Sequence, residues 1–200
     1  MSGPCERFYV QRADGVGDRA IPVGISSCLL GERVRFDGGH KLDRSLRDTL
    51  GALVTWVPVC PEAECGMPVP REPLRLTGDP VEPRLITVRT GVDHTAEMQA
   101  WAARRLDALA LDGLCGFVFK NRSPSCGLRC VAIHPPGDGA TTLDSVGLFA
   151  RAFRLRFPLL PVEEDESLRD PARRALFIER LLAFAREREQ RRRVSPTPPW

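Results

Sequence analysis

Three of the seven cysteines in this chain each follow a strand-like apolar run and open a turn. Cys28 ends Ile-Pro-Val-Gly-Ile-Ser-Ser-Cys, Cys60 ends Val-Thr-Trp-Val-Pro-Val-Cys, and Cys126 ends Phe-Val-Phe-Lys-Asn-Arg-Ser-Pro-Ser-Cys. In an open α/β sheet the carboxyl ends of the strands share one edge, and ligands bind in the crevice there. Thiols delivered one per strand to that edge could converge although they lie far apart in sequence. Such a trio suits a metal or iron–sulfur site that keeps one coordination position open for reaction.

The number and spacing of the cysteines favour metal or thiol chemistry over disulfide bonds. Seven is an odd number, the spacing is irregular, and no Cys-x-x-Cys pair typical of structural zinc sites is present. Soft thiolate ligands without histidine favour an iron–sulfur cluster over a hard cation. Cys115 lies inside a predicted strand and is expected to be a buried apolar residue, and Cys5 a bystander. A four-cysteine zinc site with unusual spacing stays open as an alternative, with the ligands Cys60, Cys65, Cys126 and Cys130.

Glu62 is the main acid–base candidate, because it lies two residues past Cys60. Like-charge repulsion from thiolates and partial burial would both raise the pKa of a carboxyl group there, which suits general acid–base catalysis near neutral pH. A solvated loop carboxylate is the alternative. Ser123 and Ser125 flank a proline just before Cys126. Their hydroxyl groups could donate to cluster sulfide or to substrate, or could cap the next helix.

Charged residues in the same loops are further candidates for substrate binding. Lys120 could supply positive charge to thiolates and to an anionic leaving sulfur. Arg35, Asp37 and Arg71 are polar candidates of the same kind, although ion pairs within loops would explain them equally well.

These loops must be positioned by a sheet and its helices. Strands are predicted at 21–27, 54–59, 84–89, 114–119, 130–134 and 158–162, and helices at 44–50, 95–111, 143–154 and 170–192. The 114–119 run is almost wholly apolar, which is typical of a parallel strand buried on both faces. Residues 60–83 are rich in proline and predict a long loop, of a length that is uncommon unless it is functional. We expect a single three-layer α/β domain with a mainly parallel sheet, helices on both faces and the cysteines at the C-terminal strand edge. It would cover residues 20–190, after a flexible leader (1–19) and before a disordered Pro-rich tail (193–200).

Composition excludes several classes of function. Of 200 residues, 42% are hydrophobic and 28% charged, as in ordinary globular proteins, and the net charge of +3 is too small to indicate nucleic-acid binding. No run of eighteen apolar residues could span a membrane, and the N-terminus lacks the order of a signal peptide. We therefore expect no nucleic-acid or membrane partner and a cytoplasmic location, where cysteines stay reduced. The oligomeric state, monomer or homodimer, stays open.

Three segments resemble the thiouracil desulfidase (TudS-like) family. They are Ser-x-Cys-Leu-x-Gly with Val-Arg-Phe-Asp-Gly-Gly (26–39), Pro-Val-Cys-Pro-Glu with Gly-Met-Pro-Val-Pro-Arg (58–71), and Lys-x-x-Ser-Pro-Ser-Cys-Gly (120–127). The resemblance spans about residues 21–185. Many relatives carry a second, helical domain, which we do not expect here because the chain stops in the Pro-rich tail.

The resemblance implies a 4Fe-4S cluster held by three cysteines, which match Cys28, Cys60 and Cys126. The fourth iron would be open to the sulfur of a thiolated small molecule, of the thiopyrimidine or thionucleobase class. Water would replace sulfur at carbon and release sulfide, with no net electron transfer. By the same match, Glu62 would activate water or shuttle protons, and Ser123 would help to bind substrate.

Two other classes of function remain open. One is a metal- or cluster-binding sensor or structural module that catalyses nothing, and the other is a sulfur-transfer or redox thiol protein. Cys65 and Cys130 have no firm counterpart in the family motifs and are expected to be spare thiols or rescue ligands.

Overall fold

The structure is a computed structural model that describes residues 21–135 and 139–194. The predicted leader (1–19) lies outside the described residues, as does the predicted tail (193–200) apart from its first two residues, which belong to the last helix. The strands are β1 (Ile21–Ser26), β2 (Val54–Val59), β3 (Leu74–Gly78), β4 (Pro83–Thr87), β5 (Gly116–Phe119), β6 (Val131–His134), β7 (Thr142–Ser145) and β8 (Val162–Glu164). The helices are α1 (Arg44–Leu50), α2 (Pro61–Glu64), α3 (Thr95–Asp112), α4 (Leu148–Arg156) and α5 (Pro171–Val194).

Four strands form a wholly parallel sheet, sheet A, in the order β2-β1-β5-β8. Its strands consist mostly of β-branched and aromatic residues, which suit a pleated surface that is covered on both sides. A Cβ on Gly24 of β1 would lie 2.1 Å from the Phe117 ring, so only glycine allows that ring to pack across β1. The parallel pairing of sheet A confirms the predicted α/β class with a mainly parallel sheet.

Alternating side chains of sheet A face two different hydrophobic cores. Val23 and Ile25 pack in a cluster with residues of α1 and α5. Phe117 and Phe119 point to the opposite face and pack in a cluster with residues of α3 and α4. Helices therefore cover both faces of sheet A, as a three-layer arrangement requires.

Local signals account for the two helices whose bounds were predicted best. The Asp43 side chain accepts a hydrogen bond from the Leu46 N–H at 2.9 Å and so caps α1. Gly113 ends α3 in the left-handed region with φ of 75°. The buried side of α3 includes all the residues that the helical spacing predicted, namely Met98, Trp101, Ala102, Leu106 and Leu109.

A second sheet, sheet B, was not predicted. Its order is β4-β3-β6-β7, with one parallel pair between two antiparallel ones. Leu76, Leu85 and Ile133 from this sheet lie in the same hydrophobic cluster as Phe117. Sheet B therefore shares the core on the α3 and α4 side of sheet A.

Three element predictions were wrong. The strand predicted at 158–162 is displaced, because residues 158–160 form a turn and β8 is Val162–Glu164. Residues 60–83 are not one long loop, because they contain α2 and β3. Residues 143–154 are not one helix, because 142–145 pair with β6 as β7 and the helix begins only after Gly147. Gly147 is extended, with φ of −59° and ψ of 145°, and its backbone lies against Ser125. The chain therefore turns there and cannot continue a helix.

Candidate functional site

The three cysteines singled out by the sequence follow three neighbouring strands of sheet A. Cys28 lies in a 3₁₀ turn, Ser27–Leu30, directly after β1. Cys60 is the residue between β2 and α2, and Cys126 lies in the segment after β5. Cys28 and Cys126 are buried and Cys60 is half-buried. Charge on Cys60 raises the pKa of the Cys28 thiol, and charge on both of them raises that of Cys126. The three thiols are therefore close enough to interact electrostatically.

Burial is the main influence on these thiols. It raises the pKa of Cys28 to about 11, raises that of Cys60, and raises that of Cys126 well above its ordinary value. The positive charges of Arg35 and Lys120 act in the opposite direction on Cys28. Thiols in such surroundings are protonated at neutral pH, and a bound metal centre would have to displace their protons.

The donor set has the soft ligand chemistry that an iron–sulfur cluster requires. In residues 21–135 and 139–194, no three or more His, Cys, Asp or Glu side chains come close enough together to hold one metal ion. The ligands of an iron–sulfur cluster each bind a different iron atom, so they need not converge on one point. Three neighbouring thiols without histidine match that requirement.

The remaining cysteines have different surroundings. Cys130 is exposed and lines a cavity of about 590 Å³ with Arg122 and Arg129, a setting unlike that of the buried trio. Cys115 is buried, but it precedes β5 instead of lying inside a strand. The Cys65 thiol donates to the Glu62 carbonyl oxygen at 3.3 Å. Cys5 lies outside the described residues.

Glu62 lies on α2 and is held by two partners. The Arg71 Nε and Nη2 donate to Glu62 Oε2 at 2.9 and 2.6 Å, and the Ser125 hydroxyl donates to Oε1 at 2.9 Å. Charge on Glu62 raises the pKa of Cys60 and of Cys126, so the carboxylate lies near both thiols. A carboxylate fixed beside a thiol site can accept a proton from a water molecule bound there.

The two serines of the Ser-Pro-Ser-Cys segment do different things. The Ser123 Oγ accepts the N–H groups of Ser125 and Cys126 at 3.2 and 3.1 Å. Both of its lone pairs are then used, which leaves its O–H as a donor. Ser125 is fully buried, and its hydroxyl donates to Glu62. Ser123 therefore orders the Cys126 turn, and its O–H is left as a hydrogen-bond donor.

The N-terminus of α4 holds the same segment from the other side. The N–H groups of Leu148 and Phe149 donate to the carbonyl oxygens of Pro124 and Ser125 at 3.1 and 3.0 Å, and Gly147 donates to Gly127 at 2.8 Å. The N–H groups of a first helical turn have no partner inside their own helix. Here they fix the backbone on both sides of Cys126.

Lys120 forms an ion pair with Asp165 that the sequence did not predict. Its Nζ lies 2.9 Å from Asp165 Oδ2, and Asp165 Oδ1 accepts the Asn121 N–H at 2.8 Å. Asp165 is buried, and it follows β8, the fourth parallel strand. The cysteines became candidates because they follow parallel strands. Asp165 would have been a candidate for the same reason if the end of β8 had been predicted correctly.

Ser26 is a second residue that sequence reasoning missed. Its Oγ accepts the Lys120 N–H at 2.9 Å, and its hydrogen bond with the Cys126 thiol partly opposes the rise in that thiol's pKa that burial causes. Its position two residues before Cys28, at the end of β1, was the available signal.

The loop from 31 to 41 brings Arg35 and Asp37 to the site's surroundings. Arg35 Nε lies 3.8 Å from Asp37 Oδ1, and its guanidinium lies over the Phe36 ring at 5.4 Å. The Gly39 N–H donates to Asp37 and lowers the pKa of that carboxyl group. Asp37 is thus engaged in its own turn, whereas the charge of Arg35 reaches Cys28.

The fold and the site together define an α/β protein with a thiol site built from the loops after its parallel strands. The sequence profile of the 2-thiouracil desulfurase family matches residues 23–165, and the chain belongs to that family. A solved structure of a thiouracil desulfidase, TudS, described as 4Fe-4S-dependent, is 30% identical with a TM-score of 0.59. The match covers 76% of this chain and 95% of that one. The uncharacterized protein YbbK of Bacillus subtilis (strain 168) is 32% identical over 108 residues, which is 52% of this chain and 71% of YbbK.

The helices of the described residues include none long and apolar enough to cross a membrane.

Proposed function

We propose that this protein is an iron–sulfur-dependent desulfidase that hydrolyses the C=S bond of a thiolated small molecule of the thiopyrimidine or thionucleobase class. Water supplies the oxygen of the oxo product and sulfur leaves as hydrosulfide, so no electrons are transferred. The observation that carries the proposal is a carboxylate, Glu62, fixed beside a trio of interacting thiols in a chain of this family.

We also propose a cytoplasmic location, in keeping with free thiols.

In this proposal Cys28, Cys60 and Cys126 would hold a 4Fe-4S cluster. When bound, the cluster would supply a soft Lewis acid for the sulfur of a C=S bond. Glu62 takes a proton from the attacking water, and the Ser123 O–H donates a hydrogen bond to substrate. Lys120 and Arg35 offset negative charge around Cys28.

The ligand assignment is tested by anaerobic reconstitution with iron and sulfide. Replacing Cys28, Cys60 or Cys126 by Ser should abolish or sharply reduce iron and sulfide content, because each removal leaves an iron without its ligand. The matched controls Cys65→Ser and Cys130→Ser should load as the wild type does. One equivalent of zinc without any iron in the wild type would contradict the cluster.

The role of Glu62 is tested by sulfide release from 2-thiouracil. Glu62→Gln should lower kcat by about 10²-fold or more, since general acid–base catalysis contributes 10²–10⁴. Iron content should stay at the wild-type level. Unchanged turnover would remove Glu62 from the mechanism, and a loaded wild type that releases no sulfide from any thiolated base would indicate a non-catalytic cluster protein.

A further inference from the structure

We propose that Arg71 is a positioning residue that holds the Glu62 carboxylate with one oxygen directed to the water that it activates. This inference rests on the proposed function, since it takes Glu62 as the base.

The contact between the two side chains is close and largely shielded from water. Arg71 Nε and Nη2 both donate to Glu62 Oε2, at 2.9 and 2.6 Å. The side chains are only 6% and 15% exposed. Charge-assisted hydrogen bonds of this kind fix geometry as well as charge.

Arg71 is itself held in place by backbone groups. Its Nη2 donates to the Val34 carbonyl oxygen at 2.9 Å and its Nη1 to that of Pro68 at 3.3 Å. Its own N–H donates to the Phe36 carbonyl oxygen at 2.8 Å. Four of the five N–H donors of the guanidinium are thus used within the protein, two on Glu62 and one each on Val34 and Pro68. Arg71 is therefore suited to act through Glu62.

The same contacts select the reactive oxygen of Glu62. A carboxylate has about four acceptor positions. Arg71 uses two on Oε2 and the Ser125 hydroxyl uses one on Oε1. The position left open is on Oε1, and rotation of the carboxylate away from it would break the contacts with Arg71.

The test compares Arg71→Gln and Arg71→Lys with Arg105→Gln. Arg105 is a matched control, because it pairs with Glu64 on the same short helix α2 at 3.2 Å. We expect Arg71→Gln to lower kcat at least about tenfold with a KM change under about threefold, because substrate contacts stay intact. Arg71→Lys keeps the charge but loses the two-point contact, so its kcat should lie between those of the wild type and Arg71→Gln. This variant gives a result even if Arg71→Gln folds poorly. Arg105→Gln should stay within about twofold of the wild type.

The same changes in a Glu62→Gln background show whether Arg71 acts through Glu62. Arg71→Gln should cause no further loss of kcat there. Without the cluster, the Tm of the apo double variant should exceed the value expected from adding the two single losses, because neither charge is left buried alone. Iron and sulfide content should match the wild type throughout.

Three results would overturn the inference. They are an unchanged kcat in Arg71→Gln, an equal loss of kcat in both backgrounds, and loss of iron on changing Arg71. If Glu62→Gln itself leaves turnover unchanged, the proposed role of Glu62 fails as well, so the two failures are distinguishable.

Discussion

Single side chains at this site depend on partners from distant parts of the chain. Without Asp165, the positive charge of Lys120 would be unpaired in a half-buried position. Asp165 also accepts the N–H of the next residue, Asn121. Asp165 is in turn anchored by its own N–H, which donates to the Phe119 carbonyl oxygen at 3.0 Å. The loop that leads to Cys126 therefore begins from a fixed point.

Asp165→Asn should lower the free energy of unfolding by about 3 kcal/mol, because removing one partner of a buried pair leaves the other charge uncompensated. Denaturant unfolding of the apo-protein measures this. The control is Asp107→Asn, whose carboxylate is 77% exposed and pairs with Arg156 at 3.7 Å. The control should change stability by less than about 0.5 kcal/mol, and an equal loss in both variants would contradict the argument.

Several site residues could be predicted from the sequence, and the physical reason is local. Cys28 and Cys60 directly follow strands whose apolar pattern is plain, so their relation to the sheet was visible. Glu62 and Ser125 were identified from their distance to a cysteine, but the hydrogen bond between them joins residues 63 positions apart. Asp165 and Ser26 lie at strand ends, which is a local signal, but their partners are distant in sequence and could not be predicted from it.

At the level of elements, the N-terminus of α4 and the Cys126 segment form one unit. A Cβ on Gly147 would lie 2.6 Å from the Ser125 carbonyl carbon and 2.8 Å from the Cys126 nitrogen. Both atoms belong to backbone, which cannot swing aside as a flexible side chain would. This contact explains why the helix predicted at 143–154 starts late, since the pattern of apolar residues contains no information on a neighbouring loop.

Gly147→Ala should displace the Cys126 segment and lower stability by about 2 kcal/mol, as overpacking does. Iron content after anaerobic reconstitution should fall with it, because the displaced backbone carries Cys126. Both wild-type stability and wild-type iron content in the variant would show that the segment adapts freely, contrary to this prediction.

The whole molecule is organised around a core that two sheets share. Phe117 and Phe119 stack with ring centroids 4.2 Å apart and meet Phe153 of α4 in edge contacts. Leu76 of sheet B belongs to the same cluster and is fully buried. Strands β1, β2 and β5 of sheet A were predictable from their apolar runs, whereas β8 is short and polar and β3 has only one fully buried position.

Leu76→Ala should destabilise the whole protein by about 2–5 kcal/mol, the usual cost of such a cavity. Because the core is shared, thermal unfolding followed by far-ultraviolet circular dichroism and by tryptophan fluorescence should show one transition with the same lowered Tm. Two separate transitions would mean that sheet B unfolds on its own.

The order of strands in sheet A has a consequence for synthesis. Of the strands in sheet A, β1 emerges first from the ribosome, yet it lies between β2 and β5. The chain must grow past residue 126, well over half of its length, before all three thiol-bearing loops exist, and β5 must then dock beside β1. Until then the nascent chain presents at most two of the three thiols. Under the proposed function, iron and sulfide could therefore be delivered only late, after translation of the Cys126 loop and long-range strand pairing.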